Sequence, residues 1–270
     1  MSAPFPPGLV RQAGHLSPAE QTRLAAARVT VLGLGGVGGV AAELLARAGV
    51  GELVLADGEA FEPSNLNRQV GALRSTLGEE KARVMARRLA GVNPALRLRV
   101  GERVSGEEAA AALLAGAAAG VLAMDTLLPA VAAWRAARQR GLALVEALAL
   151  PVLQVRVYAP AGPDPEDGLP SQGQDLALVD PDALGAAYAR AEAARLADGQ
   201  GGPLALAAPL ALAQMQSGQV PSLGPLVWLA GSLAALETLK ILLGRGRVAW
   251  FPAGAALDPW AWELHPPPGE

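Results

Sequence analysis

Cysteine is absent from all 270 residues. Its absence excludes a disulfide, a thiolate zinc site, a thiol nucleophile and a thioester to an enzyme cysteine. Histidine is scarce as well, with His15 and His265 standing alone and lacking metal-ligand spacing. Chemistry here must run on oxygen, nitrogen or a bound metal. No charge dominates: 25 acidic against 22 basic residues leave a formal net charge of -3, which supplies no global field to gather nucleic acid. DNA binding is therefore not expected. The opening MSAPFPPGLV has no basic stretch followed by a long apolar run, so no signal peptide is read and the cytoplasm is the default location. Two runs approach the composition of a membrane span, Ala109 to Met124 and Leu223 to Leu243. The first is short and weakly hydrophobic and the second carries Glu237 and Lys240, so both are read as buried or amphipathic helices, with no membrane partner.

What is present is the composition of a folded chain: 51% hydrophobic and 17% charged residues, with 32 glycines and 22 prolines. The length suits one large domain or two small ones. Ser17, Pro18 and Glu20 form a helix-capping signal for residues 16–27. Val29 to Leu32 then reads as a strand, Gly36 to Ala48 as a helix and Leu53 to Ala56 as a second strand, a βαβ unit with a right-handed crossover. Beyond it, helices are expected at 78–90, 106–118 and 129–140, and strands at 96–100, 121–124 and 142–147. This alternation predicts a Rossmann-like, doubly wound, mostly parallel α/β sheet with ligands at the carboxyl ends of its strands. Residues 159–173 read as an exposed loop, 182–197 as a helix, 198–222 as loop, 225–243 as the last helix and 248–251 as a further strand. Four segments follow: an N-terminal helical arm (1–28), a nucleotide-binding core (29–158), a divergent insertion (159–222), and a closing helix with its tail (223–270).

The chemistry concentrates at the strand ends. Gly33, Gly35 and Gly38 set out G-x-G-x-x-G, with Gly36 inside it, directly between a strand and a helix. Glycines so placed let the chain turn sharply and bring backbone N–H groups and a helix N-terminus against phosphate oxygens. Asp57 ends the second strand 19 residues past Gly38, where a carboxylate accepts both hydroxyls of a ribose. An adenine nucleotide fits this pattern; a tight structural turn beside an ordinary strand-end Asp is the alternative. Three features pull against a nicotinamide dehydrogenase. Arg68, within Ser64-Asn65-Leu66-Asn67-Arg68-Gln69, and Lys81, which follows 13 residues later, supply the cations that a triphosphate needs. Asp125, after the strand at 121–124, would repel a polyphosphate unless a cation lay between them, which points to Mg²⁺.

Together these residues resemble the ThiF/MoeB/HesA adenylyltransferases, relatives of the ubiquitin-activating enzymes. The resemblance rests on GLGGVG, LARAGVGELVLAD, SNLNRQ, GEEK and the later strand-end Asp, covers about 28–158, and resumes at 223–244. It implies that Asp57 binds ribose, Arg68 and Lys81 bind phosphates, Asp125 holds the metal, and Asn65 and Gln69 lie near the nucleotide. Arg11 resembles an N-terminal arginine that reaches the ATP of the other subunit in family dimers, so a homodimer is implied too. Ala123 stands where many members carry a second acid, and the Cys-x-x-Cys zinc pairs of many members are missing, so zinc is not expected. The stretch NRQVGALRSTLGEEKARVMARRLAGVNP is especially similar to the tRNA threonylcarbamoyladenosine dehydratases. GSLAALETLK is more similar to enzymes that adenylate the Gly-Gly tail of a small sulfur-carrier protein.

The reading that follows is ATP-dependent activation of a substrate carboxylate, foremost the Gly-Gly terminus of a ubiquitin-like sulfur carrier, as an acyl adenylate with release of pyrophosphate. A carboxylate is ionised at pH 7, so the scarcity of His and Cys is no obstacle. The alternatives are a dehydratase acting on modified tRNA, a silent family member serving as a binding partner, and a nicotinamide-dependent oxidoreductase. Arg83, Arg87, Arg88, Arg97, Arg99 and Arg103 read either as a basic face for tRNA or as the solvated sides of a helix and a strand. Trp228, Trp250, Trp260 and Trp262 read as core and C-terminal packing, and Glu237 as an interface or capping charge.

Overall fold

A computed structural model describes residues 6–150, 152–195, 222–260 and 263–266. The loop expected at 198–222 except Ser222, the last two residues of the helix expected at 182–197, and Trp262 lie outside the described residues. The chain starts with a 3₁₀ turn, Pro7–Gln12, and α1 (Pro18–Ala26), which is opened by the Ser17/Glu20 capping box. There follow β1 (Arg28–Leu32), α2 (Gly36–Ala48), β2 (Glu52–Ala56), α3 (Lys81–Val92), β3 (Arg97–Gly101), α4 (Glu107–Leu113) and β4 (Ala119–Leu122). After these come α5 (Leu127–Gln139), β5 (Leu144–Leu150), β6 (Val152–Tyr158), α6 (Pro181–Arg195), α7 (Gly224–Leu243), β7 (Ala255–Asp258) and β8 (Glu263–His265).

All the described strands form one sheet in the order β3-β2-β1-β4-β5-β6-β7-β8. The first five are parallel, as the alternating pattern predicts, and β6, β7 and β8 continue antiparallel. Val29, Val31, Val121 and Val145 face a core shared with α2, α3 and α7. Leu32, Leu122 and Leu144 face the opposite core, built with α4, α5 and α6. Both faces of the central strands are thus covered, which is why they read as continuous apolar runs rather than alternations.

Several boundaries differ from the sequence expectation for local reasons. The helix expected at 106–118 stops at Leu113, because Gly116 takes a left-handed turn (φ +69°) and frees Ala119 to start β4 early. The strand expected at 248–251 is reduced to a lone bridge between Trp250 and Val157, with Pro252, which lacks an N–H, directly behind it. Strands β6 to β8 had no counterpart in the reading, although Leu153, Val155 and Val157 alternate with Gln154, Arg156 and Tyr158. That alternation lays Gln154, Arg156 and Tyr158 on the α6 side, where buried Arg156 pairs with Glu146 and Glu192. The polar loop after β6 is fastened along α5: Arg135 pairs with Glu166 and donates to the carbonyls of Ser171 and Gln174.

Among the described residues, α7 is the helix long and apolar enough to cross a membrane. Its buried side packs on α2 through very small residues. A Cβ on Gly231 would lie 2.7 Å from Val40 Cβ and 2.8 Å from the Val37 carbonyl oxygen. Glu237 is 4% exposed and acts as a cap, accepting from the Ala249 amide and pairing with Lys240, so that the turn after α7 is fixed. Trp228 departs from its expected core packing at 48% exposed, Trp250 and Trp260 near the C-terminus are 44% and 74% exposed, and among the described residues the buried indole is that of Trp134. Gly231→Val should overpack the α2–α7 contact and cost about 1–3 kcal/mol. A lower urea midpoint at unchanged slope would show it, and an unchanged midpoint would contradict this packing.

Candidate active site

The site begins with what the backbone does after β1. Gly33 has φ +89°, and a Cβ there would sit 2.4 Å from the Ala123 carbonyl oxygen. A Cβ on Gly38 would lie 1.9 Å from the Gly33 carbonyl oxygen, and one on Gly36 would lie 2.3 Å from Val227 Cγ1. These three positions admit no side chain, so the turn, the end of β4 and α7 all close on bare backbone. Gly35 differs, because its missing Cβ faces only the Gln69 amide, at 3.7 Å. Gly35 is also the N-cap of α2, and no side chain caps that end of the helix. The result is an open cradle of backbone at a helix N-terminus, suited to an anion.

Asp57 stands beside this cradle. It accepts from the Leu34 amide at 2.6 Å and from the Glu59 amide at 2.8 Å, so both carboxylate oxygens are held in place. Burial pushes its carboxyl above the ordinary aspartate value of 3.8, opposed by those two amides and by the nearby Lys81. Lys81 opens α3, with its amide bonded to the Glu59 carbonyl and its ammonium group paired with the Glu59 carboxylate. The Lys81 side chain is 5% exposed while that of Glu59 is 65% exposed. A buried cation is thus balanced by an acid standing in solvent.

The segment 64–69 supplies the third side. Arg68 Nη1 donates to the Ser64 carbonyl and to Asn67 Oδ1, which folds its guanidinium back on its own loop. Asn65 is buried and caps the same turn, accepting from the Glu62 amide at 3.1 Å. Gln69 is buried against Gly35, and its Oε1 has no hydrogen-bond partner. α7 steadies the segment: Trp228 Nε1 donates to the Arg68 carbonyl at 2.8 Å, and Asn67 Nδ2 to the Ser222 carbonyl at 2.9 Å.

The structure thus gathers Gly33, Gly35, Gly36, Gly38, Asp57, Asn65, Arg68, Gln69 and Lys81 at one end of the sheet. Asp125 lies at the same carboxyl edge, exposed, three residues past the end of β4. No group of three or more metal-ligating side chains occurs among the described residues. One carboxylate nevertheless suits Mg²⁺, which keeps water and takes further oxygens from bound phosphates. Arg11 is not brought to the cluster. Its turn is tied by Gln12 to the Arg47 carbonyl, at the far end of α2, about 20 Å along the helix from the glycines. Sequence reasoning missed Glu59, the partner of Lys81, although the D-x-E spacing after β2 signals it, and it gave Trp228 to the core.

The ThiF family profile matches residues 9–262. The chain belongs to the ThiF family. Of the curated ThiF-family relatives, the tRNA threonylcarbamoyladenosine dehydratase of Bacillus subtilis (strain 168) is 52% identical over 66 residues, 24% of this chain and 26% of that one. The sulfur carrier protein ThiS adenylyltransferase of Escherichia coli (strain K12) is 41% identical over 88 residues, 32% of this chain and 35% of that one. These matches span only about a quarter to a third of the relatives' length. The ThiF-family fold is also that of E. coli MccB solved with ATP, with a TM-score of 0.70 at 18% identity over 96% of this chain and 70% of that one.

Because burial raises the Asp57 carboxyl, its ionised form, the form able to accept from ribose hydroxyls, is lost on acidification before an ordinary aspartate would protonate. Nucleotide affinity measured by calorimetry should therefore begin to fall at a pH above the usual aspartate range. Affinity that stays flat down to pH 3.8 would show that Asp57 takes no part.

Proposed function

We propose that this ThiF-family chain is an ATP-dependent adenylyltransferase. One observation carries the reading: a glycine turn at the N-terminus of α2 lies against a fixed carboxylate, Asp57, which has a buried ammonium group, Lys81, nearby. ATP supplies what each part lacks, with ribose hydroxyls for Asp57, phosphate oxygens for the Gly35 cradle, and negative charge for Lys81 and Arg68.

In this account the substrate carboxylate attacks the α-phosphorus of ATP. An O–P bond forms to give the acyl adenylate, the bond to the β,γ-phosphates breaks, and pyrophosphate leaves with the electron pair. No proton has to move, so the protein's work is positioning and neutralisation of charge. Lys81 would turn from Glu59 toward the phosphates, an exchange that the exposure of Glu59 permits. Arg68 would unfold from Ser64 and Asn67 to reach the leaving group. Asp125 would hold Mg²⁺, which when bound shields phosphate charge. Arg11, remote within its own chain, would serve the site of a second copy, which makes a homodimer the working assembly.

For the substrate we favour the Gly-Gly carboxylate of a ubiquitin-like sulfur carrier, in the cytoplasm. Five of the arginines available for an RNA-binding face are tied to acids: Arg83 to Glu80, Arg87 to Glu79, Arg88 to Glu43, and Arg97 and Arg99 to Glu52. Little free cationic surface remains there for tRNA. The identity to the B. subtilis dehydratase keeps modified tRNA as the second reading.

ATP–pyrophosphate exchange tests the proposal, with a Gly-Gly carrier protein and threonylcarbamoyladenosine-bearing tRNA supplied in parallel. Exchange with the carrier alone is expected, abolished in Arg68→Ala and Lys81→Ala and shifted to a higher KM for ATP in Asp57→Ala. Exchange that survives either cation substitution would overturn these assignments, and exchange with tRNA alone would replace the carrier by the second reading.

A further inference from the structure

Of the six arginines along α3 and β3, five are paired with acids, and Arg103 is the exception. It makes no hydrogen bond or ion pair among the described residues and stands exposed just past the carboxyl end of β3. Its stem is nevertheless fixed. A Cβ on Gly58 would meet Arg103 Cβ at 2.7 Å, Cδ at 3.0 Å and Cγ at 3.2 Å. The Arg103 side chain therefore lies flat over the backbone of Gly58, the residue directly after Asp57. Any side chain at 58 would lift it away.

This position has a meaning in a sheet ordered β3-β2-β1-β4. In the nucleotide reading phosphates would sit over the end of β1 at the α2 N-terminus and ribose at the end of β2, so the base would project past β2 toward the end of β3. A base there needs a flat group to lie on, and aromatic rings are lacking. Residues 102–106 contain none, and the one ring in 57–80, Phe61, is 1% exposed and packed near Gly71 and Met85. The planar guanidinium of Arg103, with its stem anchored and its charge unpaired, is the flat group that the site offers. Arginine stacks on aromatic faces where a lysine ammonium cannot.

We infer that Arg103 forms the base subsite, its guanidinium stacking on the adenine of the bound nucleotide. The inference rests on the nucleotide reading of the site and adds to it a residue that fixes the base end of ATP. It also accounts for two features that the phosphate and ribose contacts leave aside, the glycine at 58 and the unpaired cation beside it.

Calorimetry with AMP, ATP and inorganic tripolyphosphate separates the base from the phosphates, using the full chain and the variants R103A, R103K and R103Y. Arg103 is exposed, so these substitutions leave the core untouched. R103A and R103K should weaken AMP and ATP binding by about three- to thirtyfold, the range of a desolvated cation–aromatic stack, while tripolyphosphate affinity stays unchanged. R103Y restores a flat surface without the charge and should bring AMP affinity back to within about threefold of the natural chain. AMP binding by R103A within about twofold of the natural chain would overturn the inference. So would a loss for tripolyphosphate equal to that for ATP, which would make Arg103 a phosphate contact. A natural chain that binds neither AMP nor ATP would remove the nucleotide reading and this inference with it, whereas normal ATP binding by R103A would remove the inference alone.

Discussion

Bare backbone between Gly33 and Gly38 is the constraint on which the rest of the molecule depends. Three of its glycines leave no room for one more carbon: against the end of β4, against the loop's own carbonyl and against Val227 of α7. The first two contacts set the tight turn that aims α2 at the crevice. The third ties the turn to a helix almost two hundred residues later in the chain. Because Gly231 lets α7 settle against Val37 and Val40, the same helix brings Trp228 to the Arg68 carbonyl and Ser222 to Asn67. Steric exclusion at the loop thus becomes, through α7, the placement of the segment that carries Asn65, Arg68 and Gln69.

Electrostatics adds what packing leaves unfinished. Ionised groups leave water only when paired or otherwise compensated, and here a nearly buried ammonium is paired with a largely solvated carboxylate. Asp57 is held at a cost to its ionised form, and Gln69 keeps an acceptor without a donor. Ribose hydroxyls donated to Asp57 and phosphate charge beside Lys81 would offset the first two of these penalties. Away from the site, the carboxylates of Glu43 and Glu52 are each paired with arginines.

The parts of this protein that were legible in its sequence are those whose cause is local. β1, α2 and β2 follow from a β-branched run, a glycine turn and a second apolar run, and α2 begins and ends where the sequence places it. Asp57 was visible because its place beside the turn follows from its distance from the glycines. Long-range causes were not visible in the same way. Trp228 lies among apolar residues and so resembles a core residue, yet its partner is a carbonyl 160 positions away. The pairing of Arg97 and Arg99 with Glu52 depends on strand register, which periodicity does not report. β7 and β8 are short, with too few residues to show an alternation. The separation of Arg11 from the cluster likewise appears only when the turn is seen at the far end of α2.

Hydrogen exchange of the backbone amides, with and without saturating Mg²⁺ and ATP, tests the central claim most directly, because it needs no knowledge of the acyl substrate. If the triphosphate rests on the cradle at the start of α2, exchange should slow in peptides covering 33–40, 57–69 and 79–82 and stay unchanged in β7 and β8. Saturation by ATP with no slowing at 33–40 would contradict the account, since the nucleotide would then be bound away from the loop around which the molecule is built.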